Sequence, residues 1–167
     1  VRAYDRESNM GNLFADALLQ YDPSIDLALV NSGALRQNID EGPVTKGDLV
    51  STFPFPNKLV LVKLKGSRLR AIFDHAAKMT NGVLQVSKGT RYAFEAGKGV
   101  QEISINGRRL EDEKLYWVAT SDFVVEGGDG YSEFDHAVER VDTGKKIVDV
   151  VEDFLVQERI YYPVYEE

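Results

Sequence analysis

At 167 residues, 43% hydrophobic and 28% charged, the chain can bury one sizeable core and is too short for two comfortable domains. It has no cysteine, which excludes a disulfide framework, thiolate chemistry and a cysteine-built zinc site. A net charge of −7 speaks against a nucleic acid polymer as partner, because any basic face would leave a still larger acidic remainder. No apolar run approaches the roughly 20 residues that span a bilayer, so no membrane partner is expected either.

The first element is an amphipathic helix: Met10, Leu13, Phe14, Ala17, Leu18 and Tyr21 recur at helical spacing, Asn9 stands as the expected cap, and Asp22-Pro23 ends the run. Asp26 to Val30 reads as a short buried strand delivering Asn31-Ser32-Gly33-Ala34-Leu35-Arg36 into a loop. Thr45-Lys46-Gly47-Asp48 has the form of a helix start, and Phe53-Pro54-Phe55-Pro56-Asn57 is a turn, since its two prolines exclude regular structure. Lys58 to Leu64 is a strand, and Ser67 opens a helix with Leu69, Ile72, Phe73 and Ala76 on one face. Strands follow at Val83 to Val86, Arg91 to Glu95, Val100 to Ile105 and Leu115 to Thr120, with Asn106-Gly107 as a hairpin turn. A last helix, about Lys145 to Glu158, buries Ile147, Val148, Val151, Phe154 and Leu155. Residues 1–167 are read as a single domain of the α+β class, a mixed, mostly antiparallel sheet flanked by helices. The start at Val1 rather than methionine leads us to expect a fragment, a processed product or a trimmed chain.

Familiar catalytic patterns do not occur. His75 and His136 belong to no metal-binding spacing, and there is no nucleophile elbow, phosphate-cradling Walker loop or dinucleotide glycine motif. No catalytic residue and no metal ligand is therefore expected in this chain, and both histidines are expected to be structural or exposed.

Three loops instead share one chemical logic, each setting a polar or aromatic group beside Gly or Pro, and convergence of such loops makes a pocket. The first offers Asn31, Gly33 and Arg36, and the second Phe55 and Asn57. The third is Ser121-Asp122-Phe123-Val124-Val125-Glu126-Gly127-Gly128-Asp129-Gly130-Tyr131, where clustered glycines permit a left-handed backbone or a close approach to a ligand. Phe55 and Phe123 are suited to sandwich a planar ring, at about 1–3 kcal/mol for each base stack. Arg36 suits a phosphate or carboxylate, Asp129 the vicinal hydroxyls of a ribose, and Asn31 a base edge. The chain reads as a binder of a nucleotide-like small molecule.

Five ordered motifs carry a family resemblance: Glu7-Ser8-Asn9-Met10-Gly11-Asn12-Leu13 running into Ala15-Asp16-Ala17, Asn31-Ser32-Gly33-Ala34-Leu35-Arg36, Phe53-Pro54-Phe55-Pro56-Asn57, Leu84-Gln85-Val86-Ser87 and Gly127-Gly128-Asp129-Gly130-Tyr131. In this order, and across almost the whole chain, they resemble the C-terminal domain of the 5′-nucleotidase and UDP-sugar hydrolase family. The resemblance implies a substrate-binding domain whose N-terminal metallophosphoesterase partner, absent from this chain, holds two divalent metal ions and the catalytic residues. It further implies that Phe55 and Phe123 stack on either face of a base, that Asn31 and Gly33 border it, that Asp129 binds the ribose hydroxyls, and that Arg36 contacts the substrate near its phosphate. Many relatives carry Gly-Gly-Gly-Ile-Arg where this chain has Ser32-Gly33-Ala34-Leu35-Arg36, which keeps the Arg in a stiffer loop. Asn12 and Asp16, though typical of the family, are expected to be structural. The implied parent is a hydrolase of nucleotide catabolism, periplasmic, secreted or cell-surface, acting on nucleoside phosphates. The alternatives are cyclic nucleotides, UDP-sugars or a sulfur-containing substrate, or a module that binds ligand without catalysis. This chain alone is expected to be inactive.

Overall fold

Successive residues of strand β1 (Leu27–Asn31) point to opposite sides of a sheet, and both sides are covered: Ala28 and Val30 belong to a first hydrophobic core, Leu27 and Leu29 to a second. The same division runs through β2 (Lys58–Lys65), where Leu59 and Leu61 face the first core and Val60, Val62 and Leu64 the second. Burial on both faces is why these strands read as apolar runs rather than as alternating patterns. The computed structural model describes residues 6–79, 82–95 and 98–159.

The main sheet has five strands in the order β3-β1-β7-β2-β8, with β3 at Leu84–Val86, β7 at Leu115–Ser121 and β8 at Glu139–Lys146. The β1–β7 pair is parallel, with Leu27 opposite Val118, and the other pairs are antiparallel. Helices α1 (Asn9–Gln20), α2 (Lys46–Thr52) and α5 (Ile147–Glu158) enclose one core through Phe14, Leu18, Leu49, Val151 and Phe154. Helix α3 (Gly66–Ala76) closes the other with Leu69, Ile72 and Phe73. Ile103 and Ile105 join that second core from a small antiparallel sheet of β4 (Thr90–Glu95), β5 (Gly99–Ile105) and β6 (Arg108–Arg109). The β5–β6 turn has left-handed Asn106 and Gly107, at φ 51° and 73°, as an Asn-Gly hairpin requires. The α+β class and the mostly antiparallel mixed sheet are as the sequence implies.

Several elements differ in detail from what the sequence implies. The cap of α1 is Ser8, not Asn9: Ser8 is extended and its hydroxyl accepts from Gly11 N at 3.0 Å, while Asn9 is already helical. Thr45 caps α2 with both halves of a capping box, Asp48 accepting from Thr45 N at 2.8 Å. Helix α3 begins one residue before Ser67, at Gly66. Strand β8 was not expected, because Glu139 to Lys146 is exposed along most of its length and has no apolar face; it is a strand because β2 pairs with it. That pairing, which sets Lys58 opposite Lys146, delays α5 to Ile147, whose N–H donates to Asn57 O at 3.0 Å. Phe123 lies not in an open loop but in a short helix, α4 (Asp122–Val125), capped by the Ser121 hydroxyl, which accepts from Val124 N at 3.2 Å.

Candidate functional site

The C-terminal end of β1, the turn after α2 and the segment after β7 meet at one end of the sheet, and each pair of the three is in contact, the first two through Arg36 over the Phe55 ring and the others through side-chain hydrogen bonds. Arg36 N donates to Thr52 O at 2.8 Å, tying the first loop to the end of α2. Asn57 Nδ2 donates to Asp122 Oδ1 at 2.8 Å, tying the second to the third. Asn31 Nδ2 donates to Asp129 Oδ2 at 2.9 Å, tying the first to the third. Asn31, Gly33, Arg36, Phe55, Phe123 and Asp129 all lie on this bonded set of loops.

Within it, Arg36 does not pair with Asp40 or Glu41 among the described residues; its guanidinium lies over the Phe55 ring, 5.3 Å from the centroid. Phe55 is half-buried, backed edge-on by Phe53 at 5.9 Å, and Phe53 in turn stacks on Phe14 in the core. Phe123 is 42% exposed, too open for a core residue. Each aromatic is within two residues of the Asn57–Asp122 bond, and Asp122 Oδ1 also accepts from Phe123 N at 2.8 Å. One carboxylate thus holds the start of α4 and the Phe55 loop together.

The glycine turn is unusual in its backbone. Gly127 and Gly130 have φ of 85° and 80°, and Asp129 between them is left-handed as well, at φ 55°. Gly128 has a different reason to be glycine, since a Cβ there would come within 2.5 Å of the Phe123 ring and of Phe123 O. The Asp129 carbonyl accepts from His75 Nε2 at 2.8 Å, and the His75 ring packs edge-on against Tyr131 at 4.8 Å. Burial pushes the Tyr131 phenol up, with Tyr92 and the Asp129 carboxylate adding to the effect. Chemically, the three loops offer the partly exposed rings of Phe55 and Phe123, the Arg36 guanidinium, the Asp129 carboxylate and the Asn31 amide: groups that stack, pair with an anion and accept from hydroxyls.

Asp122 and the contact made by His75 were missed by sequence reasoning. Asp122 had a signal, being the first residue after a capping Ser, but nothing local assigns its carboxylate to Asn57. His75 had none. Asp16 accepts from Lys88 N at 2.7 Å, and Asn12 donates to Glu7. A cavity of about 670 Å³ opens elsewhere, between the start of α1, β3 and β4, lined by Arg6, Gln85, Tyr92 and Phe94 among others. None of the three loops' candidate residues lines it. Among the described residues no group of three or more His, Cys, Asp or Glu side chains is arranged to hold a metal ion. No helix of the described residues is long and apolar enough to cross a membrane.

The family model for the 5′-nucleotidase C-terminal domain matches residues 1–136, and the chain belongs to that family. It is similar to the 5′-nucleotidase of Diplobatis ommata, at 30% identity over 97% of this chain and 33% of the relative. It is also similar to the trifunctional nucleotide phosphoesterase protein YfkN of Bacillus subtilis, at 31% identity over 83% of this chain and 10% of that protein. Among solved structures, the 5′-nucleotidase precursor of Thermus thermophilus superposes with a TM-score of 0.90 at 33% identity, over 99% of this chain and 35% of that one. The NAD nucleotidase of Haemophilus influenzae shares the fold, with a TM-score of 0.84 at 24% identity. The chain thus spans about a third of the Diplobatis and Thermus proteins and a tenth of YfkN.

Proposed function

We propose that the chain is the substrate-binding, specificity-determining domain of a dimetal 5′-nucleotidase-type phosphoesterase acting on nucleoside phosphates. The observation that carries this reading is the mutual contact of three loops that carry groups suited to each part of a nucleotide. Phe55 and Phe123 stack on the base, Asn31 and Gly33 border it, Asp129 accepts from the ribose hydroxyls, and Arg36 leaves its stack on Phe55 to meet the phosphate. Two divalent metal ions, held by an N-terminal metallophosphoesterase domain and not by residues of this chain, would supply Lewis-acid activation of water. The residues of this chain bind and orient the substrate. The greater length of the similar proteins supports such a two-domain parent. A periplasmic, secreted or cell-surface location is part of the same proposal and rests on family resemblance.

Calorimetric titration of the chain with adenosine and AMP tests this. Both ligands are expected to bind, and Arg36→Ala to lose about 1.5–3 kcal/mol on AMP while leaving adenosine little changed, with the difference growing at low salt. Failure of both ligands to bind overturns the nucleotide reading. Phosphate release from AMP by the purified chain with Mn²⁺, Zn²⁺ or Co²⁺ overturns the division of labour between the domains.

A further inference from the structure

We propose that His75, from the last turn of α3, is a positioning residue for the glycine turn: by donating from Nε2 to the Asp129 carbonyl it fixes the left-handed backbone that aims the Asp129 carboxylate. Its consequence for ligand binding rests on the nucleotide-site reading above; its hold on the turn does not.

The turn has few restraints at Asp129 itself, and His75 supplies the one on its carbonyl. Gly127, Asp129 and Gly130 are all left-handed, and two of these three residues are glycines free to leave that region. Asp129 enters that region less readily than glycine does, and persists there when its surroundings over-determine it. The turn's own backbone bonds, Gly130 N to Gly127 O at 3.0 Å and Tyr131 N to Gly128 O at 3.3 Å, use neither the carbonyl nor the carboxylate of Asp129. Those two groups are taken from outside, the carboxylate by Asn31 and the carbonyl by His75. The Asp129–Gly130 peptide is thus held at both ends, its N–H by Gly127 O inside the turn and its carbonyl by His75 from outside, which together fix ψ of the one residue and φ of the other. Without His75 only the bond inside the turn holds that plane, and the left-handed Asp129 from which the carboxylate projects loses its tie to α3.

The imidazole is itself held. Its ring meets Tyr131 edge-on at 72°, and Tyr131 is 2% exposed in the core beside Phe134. Gly130 is shaped to the ring as well, because a Cβ there would lie 3.1 Å from His75 Cε1. A carbonyl accepts only, so the ring must present Nε2–H to Asp129, and a side chain carrying a donor at the corresponding distance should substitute for it. Gln offers such a nitrogen; Leu keeps the bulk and removes the donor.

The chain, His75→Gln and His75→Leu are compared after thermal melts establish which variants fold. Without ligand, NMR reads the imidazole nitrogens of His75 and the side-chain amide signals of Asn31, which report the carboxylate it bonds; titration with adenosine then reads affinity. Protonated Nε2 in the parent chain is expected, together with moved Asn31 signals and about tenfold weaker adenosine binding in His75→Leu, the equivalent of one lost hydrogen bond. His75→Gln is expected to return both readouts to within about twofold of the parent. An unprotonated Nε2, Asn31 signals unmoved by His75→Leu, or Gln and Leu variants that behave alike would each overturn the proposal. If His75→Leu does not fold, the tautomer and the Gln variant still decide it. If the parent chain fails to bind adenosine while Nε2 is protonated and Asn31 responds as expected, the nucleotide reading falls and the positioning of the turn stands.

Discussion

Asn31 Nδ2 and Asp129 Oδ2 are 2.9 Å apart although 98 residues separate them in the chain, so the amide at the end of β1 orients the carboxylate proposed to meet a ribose. Asn31→Ala and Asp129→Ala should each weaken adenosine, and the double variant should lose less than the sum, with a coupling of about 0.5–3 kcal/mol for groups in direct contact. Asn31→Asp should be worse than Asn31→Ala, because it sets a second carboxylate against the first. Additive losses in the calorimetric cycle would mean that each side chain meets the ligand independently.

Gly11 predicts a reversal of the usual helix rule. It lies in the first turn of α1, and alanine in place of an interior helical glycine is ordinarily favourable by about 1 kcal/mol. Here a Cβ would collide with the Gln85 side chain. Gln85 is 1% exposed and cannot be moved without loss: Oε1 accepts from Ser8 N and Oγ at 2.9 and 3.1 Å, and Nε2 donates to Arg6 O and Ser32 Oγ, both at 3.1 Å. Gly11→Ala should therefore destabilise by about 1–3 kcal/mol, as overpacking of a filled site does. Urea unfolding measures it, and a variant as stable as the parent would show that Gln85 swings aside freely.

Stability should fall on the alkaline side. The Tyr92 hydroxyl donates to Leu84 O at 2.8 Å, and burial pushes its pKa up to about 12; Tyr131 is raised for the same first reason. An unfolded tyrosine titrates near 10, so above about pH 10 the unfolded chain releases protons that the folded chain retains, and stability declines until the folded phenols ionise. Below about pH 10 these two groups add no slope. Denaturant melts across this range, with phenolate absorbance followed in parallel, should show the decline, and Tyr131→Phe should shallow it. A slope unchanged by Tyr131→Phe would place the alkaline sensitivity elsewhere.

Much of this chain was legible before any tertiary contact was known. The periodicity of Met10 to Leu18, the Thr45–Asp48 cap, the Asn106-Gly107 turn and the apolar run of Lys58 to Leu64 are set by neighbours a few residues apart, and each element formed within a residue or two of its expected place. The order of the three glycine- and proline-marked loops was legible for the same reason, since turn chemistry is local. What only the tertiary structure decided lies in partners far apart in sequence. Glu139 to Lys146 has no apolar face and is a strand through its pairing with β2. Asp122 gains its role from Asn57, 65 residues away, and His75 from the Asp129 carbonyl, 54 residues away. A hydrogen bond of that span leaves no pattern in local sequence: it depends on which helix the sheet carries beside which loop, and packing on both faces of the sheet sets that.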